Sequence, residues 1–270
     1  YSTVVSRDSV RIILMAAALN DLEVMGADIQ NAFLSAPNLE KHWIKAGSEF
    51  GAEQGKNFKV VRALYGLKSA SAAFRSFMAK RLDAIGFQSC VADPDVWLRP
   101  AVKDDGTEYY EYILMYVDDI LAVSMDATKI LRSIEGDTVK YKNDKIEPPD
   151  MYLGAKLQQK EMNDIQCWTI TSVDYINAAI KTIEEGNKKK RWKLPSDVKT
   201  PMTQAYLPEL DCTPELDADD HQYFQELIGM LRWATELGRV DVLHETSLLS
   251  QYQASPREGH LEQALHIFAF

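Results

Sequence analysis

The chain has 270 residues, a formal net charge of −10, 46% apolar side chains and 10% aromatics. This balance marks a folded chain with room for one large domain or two smaller ones, and it excludes a disordered or low-complexity protein. No run of about 18 apolar residues occurs, so no membrane span is expected.

In chain order, residues 8–19 have helical periodicity, with Val10, Ile13, Leu14 and Ala17 on one face. A strand is expected from Glu23 to Ala27, ending at Asp28, and another over 57–64 between Gly55 and Gly66. From Ser69 to Ile85 the period is helical again (Ala70, Ala73, Phe74, Phe77, Leu82), with Gly86 as the stop. Tyr110 to Met115 and Ile120 to Val123 are β-rich runs flanking an acidic tip. A helix near 126–135, a strand from Tyr152 to Gln158 and a helix over 174–183 follow. Residues 186–222, rich in Lys, Pro, Asp and Thr, are expected to be a linker or extended loop. Helices are expected over 221–236 and 259–270. Strands and helices mixed without a regular βαβ rhythm give an α+β class.

Tyr1-Ser2-Thr3 lacks a basic region followed by an apolar one, so no signal peptide is expected. The absent initiating Met and the apolar helical phase at Ile267-Phe268-Ala269-Phe270 make both ends look cut from a longer chain. Cys90, Cys167 and Cys212 form neither a zinc spacing nor a disulfide framework, which fits a reducing, intracellular setting. The net charge speaks against nucleic acid, but its distribution does not. Lys41, Lys45, Lys56, Lys59, Arg62, Lys68, Arg75, Lys80 and Arg81 face only Glu49 and Glu53 in that stretch. A second basic cluster is Lys188-Lys189-Lys190-Arg191-Trp192-Lys193, and acids gather at Glu209, Asp211, Glu215, Asp217, Asp219 and Asp220. Each basic run is equally readable as a solvated face; the field near a cleft outweighs the total.

Two adjacent aspartates, Asp118 and Asp119, interrupt the otherwise apolar run Tyr112 to Val123. Burying both carboxylates unpartnered is costly, so they belong at the turn, on a cation, or both. A divalent ion removes their mutual repulsion, and Mg²⁺ suits carboxylates while leaving room for phosphates. Alone, the pair is equally a polar hairpin tip, and Asp28 alone is a turn or cap residue. Brought together, Asp28 and Asp118 would complete a two-metal site for phosphoryl transfer.

Tyr116-Val117-Asp118-Asp119 resembles the catalytic motif of reverse transcriptases, and Asp28 with Phe33 resembles that family's first carboxylate motif. Ala63-Leu64-Tyr65-Gly66-Leu67-Lys68 is similar to a signature of the copia-type LTR retrotransposon branch. Tyr152-Leu153-Gly154, Tyr223 to Gly229, Leu249-Ser250 and His260 follow in the family's order. Ser69 and Phe74 depart from the family's Gln and Trp.

The resemblance implies RNA-templated DNA synthesis within a retrotransposon polyprotein, with Asp28, Asp118 and Asp119 holding two Mg²⁺ ions, or Mn²⁺ in their place. The Ile29 carbonyl would complete the shell, and Phe33 would exclude a 2′-hydroxyl. Gly66 and Leu67 would let the backbone approach the nucleotide, and Lys68 would contact phosphate or template. Tyr116, Val117, Tyr152, Leu153 and Gly154 would lie along primer and template. Partners implied are an RNA or DNA template, primer, dNTPs and other parts of the polyprotein, with no membrane and an oligomeric state left open. Residues 1–150 would form a right-hand palm with partial fingers, 151–200 the end of the palm and a thumb-like region, and 201–270 a connection-like helical region. The family's basic fingers are encoded upstream of the segment resembling Tyr1 to Val5. The life cycle implied is cytoplasmic particles, passage into the nucleus and DNA integration. Two other classes compete. One is a non-catalytic nucleic-acid-binding or assembly remnant of a degenerate or domesticated element. The other is a metal-dependent hydrolase, which needs a His or Glu beside Asp28 or Asp118, and none stands nearby in sequence.

Overall fold

A computed structural model describes residues 2–163, 165–187 and 192–270. The elements are α1 (Arg7–Leu19), β1 (Glu23–Asp28), α2 (Ala32–Ser35), β2 (Trp43–Lys45), β3 (Asn57–Lys59), α3 (Ala70–Ala84), β4 (Gln88–Ser89), β5 (Val96–Val102), β6 (Glu108–Tyr116), β7 (Asp119–Ser124) and α4 (Ala127–Ile134). They continue with β8 (Met151–Tyr152), β9 (Ala155–Met162), β10 (Ile165–Thr171), α5 (Val173–Asn187), α6 (Ala218–Leu237), α7 (Leu243–Leu249) and α8 (Glu258–Ala269). The protein is a mixed α and β structure with antiparallel sheets. It divides into two compact units, residues 1–153 with 158–169, and residues 154–157 with 170–270.

In the first unit a five-stranded sheet runs in the order β1-β7-β6-β5-β4. Ile113 and Met115 of β6 and Ile120 and Ala122 of β7 bury against Phe74, Met78 and Leu82 of α3 and Ile130, Leu131 and Ile134 of α4. Alternate residues Leu114, Leu121 and Val123 are buried as well, and α1 packs on β1 and β7. A sheet covered on both faces explains why β6 and β7 are almost continuously apolar instead of alternating. Helix α1 buries Val10, Ile13, Leu14 and Ala17, as its period predicts, and Ser6 caps it by accepting from the Ser9 N–H. Helix α3 buries Met78 where the period favours Phe77, which is only partly buried. Gly86 takes φ +87°, the left-handed conformation that ends a helix.

In the second unit Phe224, Leu227, Ile228 and Leu231 of α6, at helical spacing, share a core with Ile183, Leu249, Leu261, Ala264 and Leu265. Asp217 caps α6 by accepting from the Asp220 N–H at 2.9 Å. None of the helices among the described residues is long and apolar enough to cross a membrane.

Three expectations need correction. The strand over 57–64 is only β3, because its partner β2 has three residues and the pairing then shifts to an isolated Pro37–Arg62 bridge. The strand from Tyr152 to Gln158 is broken by Leu153 and Gly154, at φ +52° and +78°. The segment 186–222 is not uniformly extended: a 3-10 turn spans Pro208–Leu210 and α6 begins at Ala218. Residues 188–191 of the second basic cluster lie outside the described residues.

Candidate active site

Strand pairing assembles the carboxylates. β1 pairs with β7 so that Asp28 lies opposite Asp119, and β7 pairs with β6 so that Asp119 lies opposite Tyr116. The turn between β6 and β7 is therefore Val117-Asp118, and Asp119 is already the first residue of β7. This corrects the expected Asp118-Asp119 tip. Val117 sits at φ +56°, an outlier for a β-branched residue, and such strain concentrates at functional sites. Just beyond β1, the Ile29 N–H donates to the Asp118 carbonyl at 2.7 Å. Ile29 itself is buried at 1% exposure.

Three carboxylates around one strand end repel, and the strain falls on Asp119. Burial first, then the charges of Asp118 and Asp28, push its carboxyl up from 3.8 to about 6, while Lys142 pulls the other way. Lys142 Nζ lies 3.4 Å from Asp28 Oδ2, a partly exposed contact of small energetic weight. Sequence reasoning missed this lysine, since nothing in its local pattern sets it apart. It arrives because residues 140–147 run along the free side of β1. The Gln30 N–H donates to the Lys140 carbonyl at 2.8 Å, the Gly26 N–H donates to the Glu147 carbonyl at 2.8 Å, and Ile29 bridges Tyr141. A cleft results, walled by Asp28, Asp119, Lys142, Asn143, Lys145 and Glu147, with Pro148 to Tyr152 at its end. Glu147 is a glutamate in the cleft that sequence proximity did not reveal; its carboxylate lies 3.8 Å from Lys145 Nζ.

Among the described residues no group of three or more His, Cys, Asp or Glu side chains stands as a ready-made metal-ligand set. The donor chemistry nevertheless suits a hard divalent cation: burial and neighbouring acidic oxygens raise the Asp119 pKa, and the lysine on Asp28 is loosely held at 3.4 Å.

Phe33 occupies the short helix α2, which Asn31 opens at φ +51°. Its ring lies 4.6 Å from that of Tyr65 and meets Phe74 edge-on at 6.1 Å. The loop Ala63 to Lys68 is thereby brought beside the segment that follows Asp28. Phe33 is partly buried against the core. Phe74, where the family resemblance suggests Trp, is fully in the core. In the loop, Gly66 takes φ +95° with open space where a Cβ would point, Leu67 packs partly on the core, and Lys68 is exposed. Tyr116 is 36% exposed beside the carboxylates. Tyr152 instead turns inward: burial holds its phenol far above its ordinary pKa, and the hydroxyl donates to the Leu114 carbonyl at 3.3 Å. Leu153 and Gly154 form the turn behind it.

Residues 1–195 match the sequence profile described as reverse transcriptase (RNA-dependent DNA polymerase). The chain is 28% identical over 247 residues to the putative transposon Ty5-1 protein of Saccharomyces cerevisiae, covering 90% of this chain and 74% of that one. It is 26% identical to the retrovirus-related Pol polyprotein from transposon TNT 1-94 of Nicotiana tabacum, over 100% of this chain and 20% of the polyprotein. It is 24% identical to the corresponding polyprotein from transposon RE1 of Arabidopsis thaliana, over 100% of this chain and 17% of the polyprotein. The chain thus spans about a fifth or less of the length of these Pol polyproteins. With 195 of 270 residues matched and the paired carboxylates at the matched strand ends, the chain belongs to the reverse transcriptase (RNA-dependent DNA polymerase) family.

Proposed function

We propose that the chain carries the nucleotidyl-transfer site of a copia-type retrotransposon reverse transcriptase, which copies an RNA template into DNA inside a larger polyprotein. In this reading residues 1–150 supply the palm and part of the fingers, 151–200 the end of the palm and a thumb-like region, and 201–270 a connection-like helical region. The observation that carries it is the juxtaposition of Asp28, Asp118 and Asp119 through the β1–β7 pairing and the Ile29–Asp118 bond.

Asp28, Asp118 and Asp119, with the Ile29 carbonyl, would hold two Mg²⁺ (or Mn²⁺) ions. When bound, such ions neutralise the triphosphate and leaving pyrophosphate and favour the ionised primer 3′-hydroxyl. The chain's own residues do the rest. The 2.7 Å bond from the Ile29 N–H to the Asp118 carbonyl ties the end of β1 to the turn. Phe33, backed by Tyr65 and Phe74, presents an aromatic wall to the sugar and rejects a 2′-hydroxyl by steric clash. Gly66 leaves room beside the nucleotide, Leu67 anchors the loop, and Lys68 meets phosphate or template. Tyr116 and Val117 line the primer side, and buried Tyr152 supports it from below with Leu153 and Gly154.

Extension of a primed RNA template with dNTPs and Mg²⁺ is the test, with Asp118→Asn alongside. Incorporation by the parent that is lost in the variant is expected; incorporation surviving Asp118→Asn would sink the metal assignment. A second reading, a non-catalytic remnant that binds nucleic acid or assembles, is favoured by the Lys142–Asp28 ion pair and the absence of a ready-made ligand set among the described residues. It requires that Mg²⁺ leave the melting temperature unchanged.

A further inference from the structure

We propose that the β2–β3 hairpin is a platform for single-stranded nucleic acid, with a base stacked on Trp43 and phosphates held by Lys45 and Lys59. The platform rests on the reading of the chain as a template-copying enzyme, and it adds a surface separate from the carboxylates.

Register determines which side chains share a face. Trp43 lies opposite Lys59, Ile44 opposite Phe58, and Lys45 opposite Asn57. The flanking bonds, Val60 N–H to the His42 carbonyl and Ala46 N–H to the Lys56 carbonyl, are both 2.9 Å. They make His42 and Ala46 hydrogen-bonded positions, so Trp43–Lys59 and Lys45–Asn57 are the closely spaced, non-hydrogen-bonded pairs. Because successive side chains alternate, Trp43, Lys45, Asn57 and Lys59 project from one face and Ile44 and Phe58 from the other.

The two faces have different fates. On the apolar side Phe50 stacks on Phe58 at 5.6 Å and 25°. On the other side Trp43 is 64% exposed, and Lys45, Asn57 and Lys59 are exposed with it. Neither Lys45 nor Lys59 is ion-paired with any described residue. The nearby acids are occupied elsewhere: Glu53 pairs with Lys56 at 2.7 Å, and Glu40 pairs with His42 at 3.2 Å and accepts from the Ser69 hydroxyl. Glu49 folds back over Gly47. An exposed indole with one unpaired lysine across the ladder and another along its own strand matches how single strands are held: bases stack on aromatic faces while lysines follow the phosphates. Lys45, two residues along the strand, is separated from Trp43 by roughly 7 Å, and Lys59 stands directly across from it in a closely spaced pair, so the ammonium groups are set on two adjacent sides of the indole. A duplex hides its base faces and gains only the lysines.

Anisotropy of a labelled single-stranded 12-mer and of the matching duplex, with the whole chain in chelator and no triphosphate, tests this without nucleotidyl transfer. Failure of the polymerase reading would therefore leave the measurement intact. Trp43→Leu is expected to weaken single-strand binding about tenfold, within the range base stacking supplies, and Trp43→Phe to recover most of it. Lys45→Ala with Lys59→Ala is expected to flatten the salt dependence by roughly 1.4 in log–log slope, about 0.7 per phosphate. Melting curves matching the parent show that these exposed substitutions leave the fold intact. Equal affinity of the parent and Trp43→Leu for the single strand would overturn the proposal, as would equal losses on single strand and duplex. A dimer in sedimentation that Trp43→Leu dissociates would overturn it as well, by assigning the face to a second copy of the chain.

Discussion

Ile29 and Asp118, 89 positions apart in sequence, are joined by a 2.7 Å bond from the Ile29 N–H to the Asp118 carbonyl. The side chain that secures this donor is itself 1% exposed within the core. Truncating it should loosen the acidic turn as well as the fold. Ile29→Val is expected to cost about 0.5–1.5 kcal/mol and Ile29→Ala about 2–5 kcal/mol. Denaturant melts check both, and the Ala variant is expected to weaken Mg²⁺-dependent stabilisation more than Val does.

Asp119 supplies a pH dependence with a definite sign. Its carboxyl is raised from 3.8 to about 6 in the folded chain. The native state therefore binds more protons than the unfolded state between those values. This group's stabilising contribution is complete below about 4, falls as the pH rises through about 6, and stays lost above that. In chelator, the melting temperature of the parent relative to Asp119→Asn is expected to decline across that window and then level. Lys142→Met, which removes the opposing positive charge, should move the decline to higher pH. A parent–variant difference that is flat from pH 4 to 7 would refute the assignment.

Val117 holds φ +56° with a β-branched side chain. Relieving that strain with glycine is expected to raise stability by roughly 1 kcal/mol, after offsetting glycine's greater freedom in the unfolded chain. A lower melting temperature for Val117→Gly would mean that the valine side chain contributes more packing than its backbone costs.

Phe33 separates two roles by two measurements. Phe33→Val should raise incorporation of ribonucleotides relative to deoxynucleotides. Loss of its contacts with Tyr65 and Phe74 should also lower stability by about 1–3 kcal/mol, since the ring is only partly buried. Unchanged sugar selectivity with lowered stability would return Phe33 to the core alone.

Strands β1, β6 and β7 and the long helices were legible because a uniform environment leaves a uniform pattern, whereas β4, β5 and β10 were not expected. The continuous apolar run from Tyr112 to Val123 reflects a sheet buried on both faces. What escaped reading depends on partners distant in sequence. β3 ends opposite Trp43, where β2 begins, a fact written in Trp43 to Lys45 and not in residues 57–64. The turn lies at Val117-Asp118, although valine at positive φ is a conformation that local preference argues against. Of the candidate site, the aspartates and Phe33 stood out because acids interrupt apolar runs and a family order is shared. Lys142 and Glu147 did not, because only the bridges between 140–147 and β1 bring them to the cleft.

Those bridges have a consequence for solubility. β1 is the outermost strand of the five-stranded sheet, and it carries the acidic site at its end. A bare outer strand is a template for pairing with another chain. Here Gly26 exchanges bonds with Glu147, and Gln30 donates to Lys140; Pro148 and Pro149, without N–H groups, give the next chain no donors where the cover ends. The segment that delivers Lys142 to Asp28 also blunts this border against aggregation. Substitutions that loosen residues 140–147 should therefore appear first as loss of soluble protein.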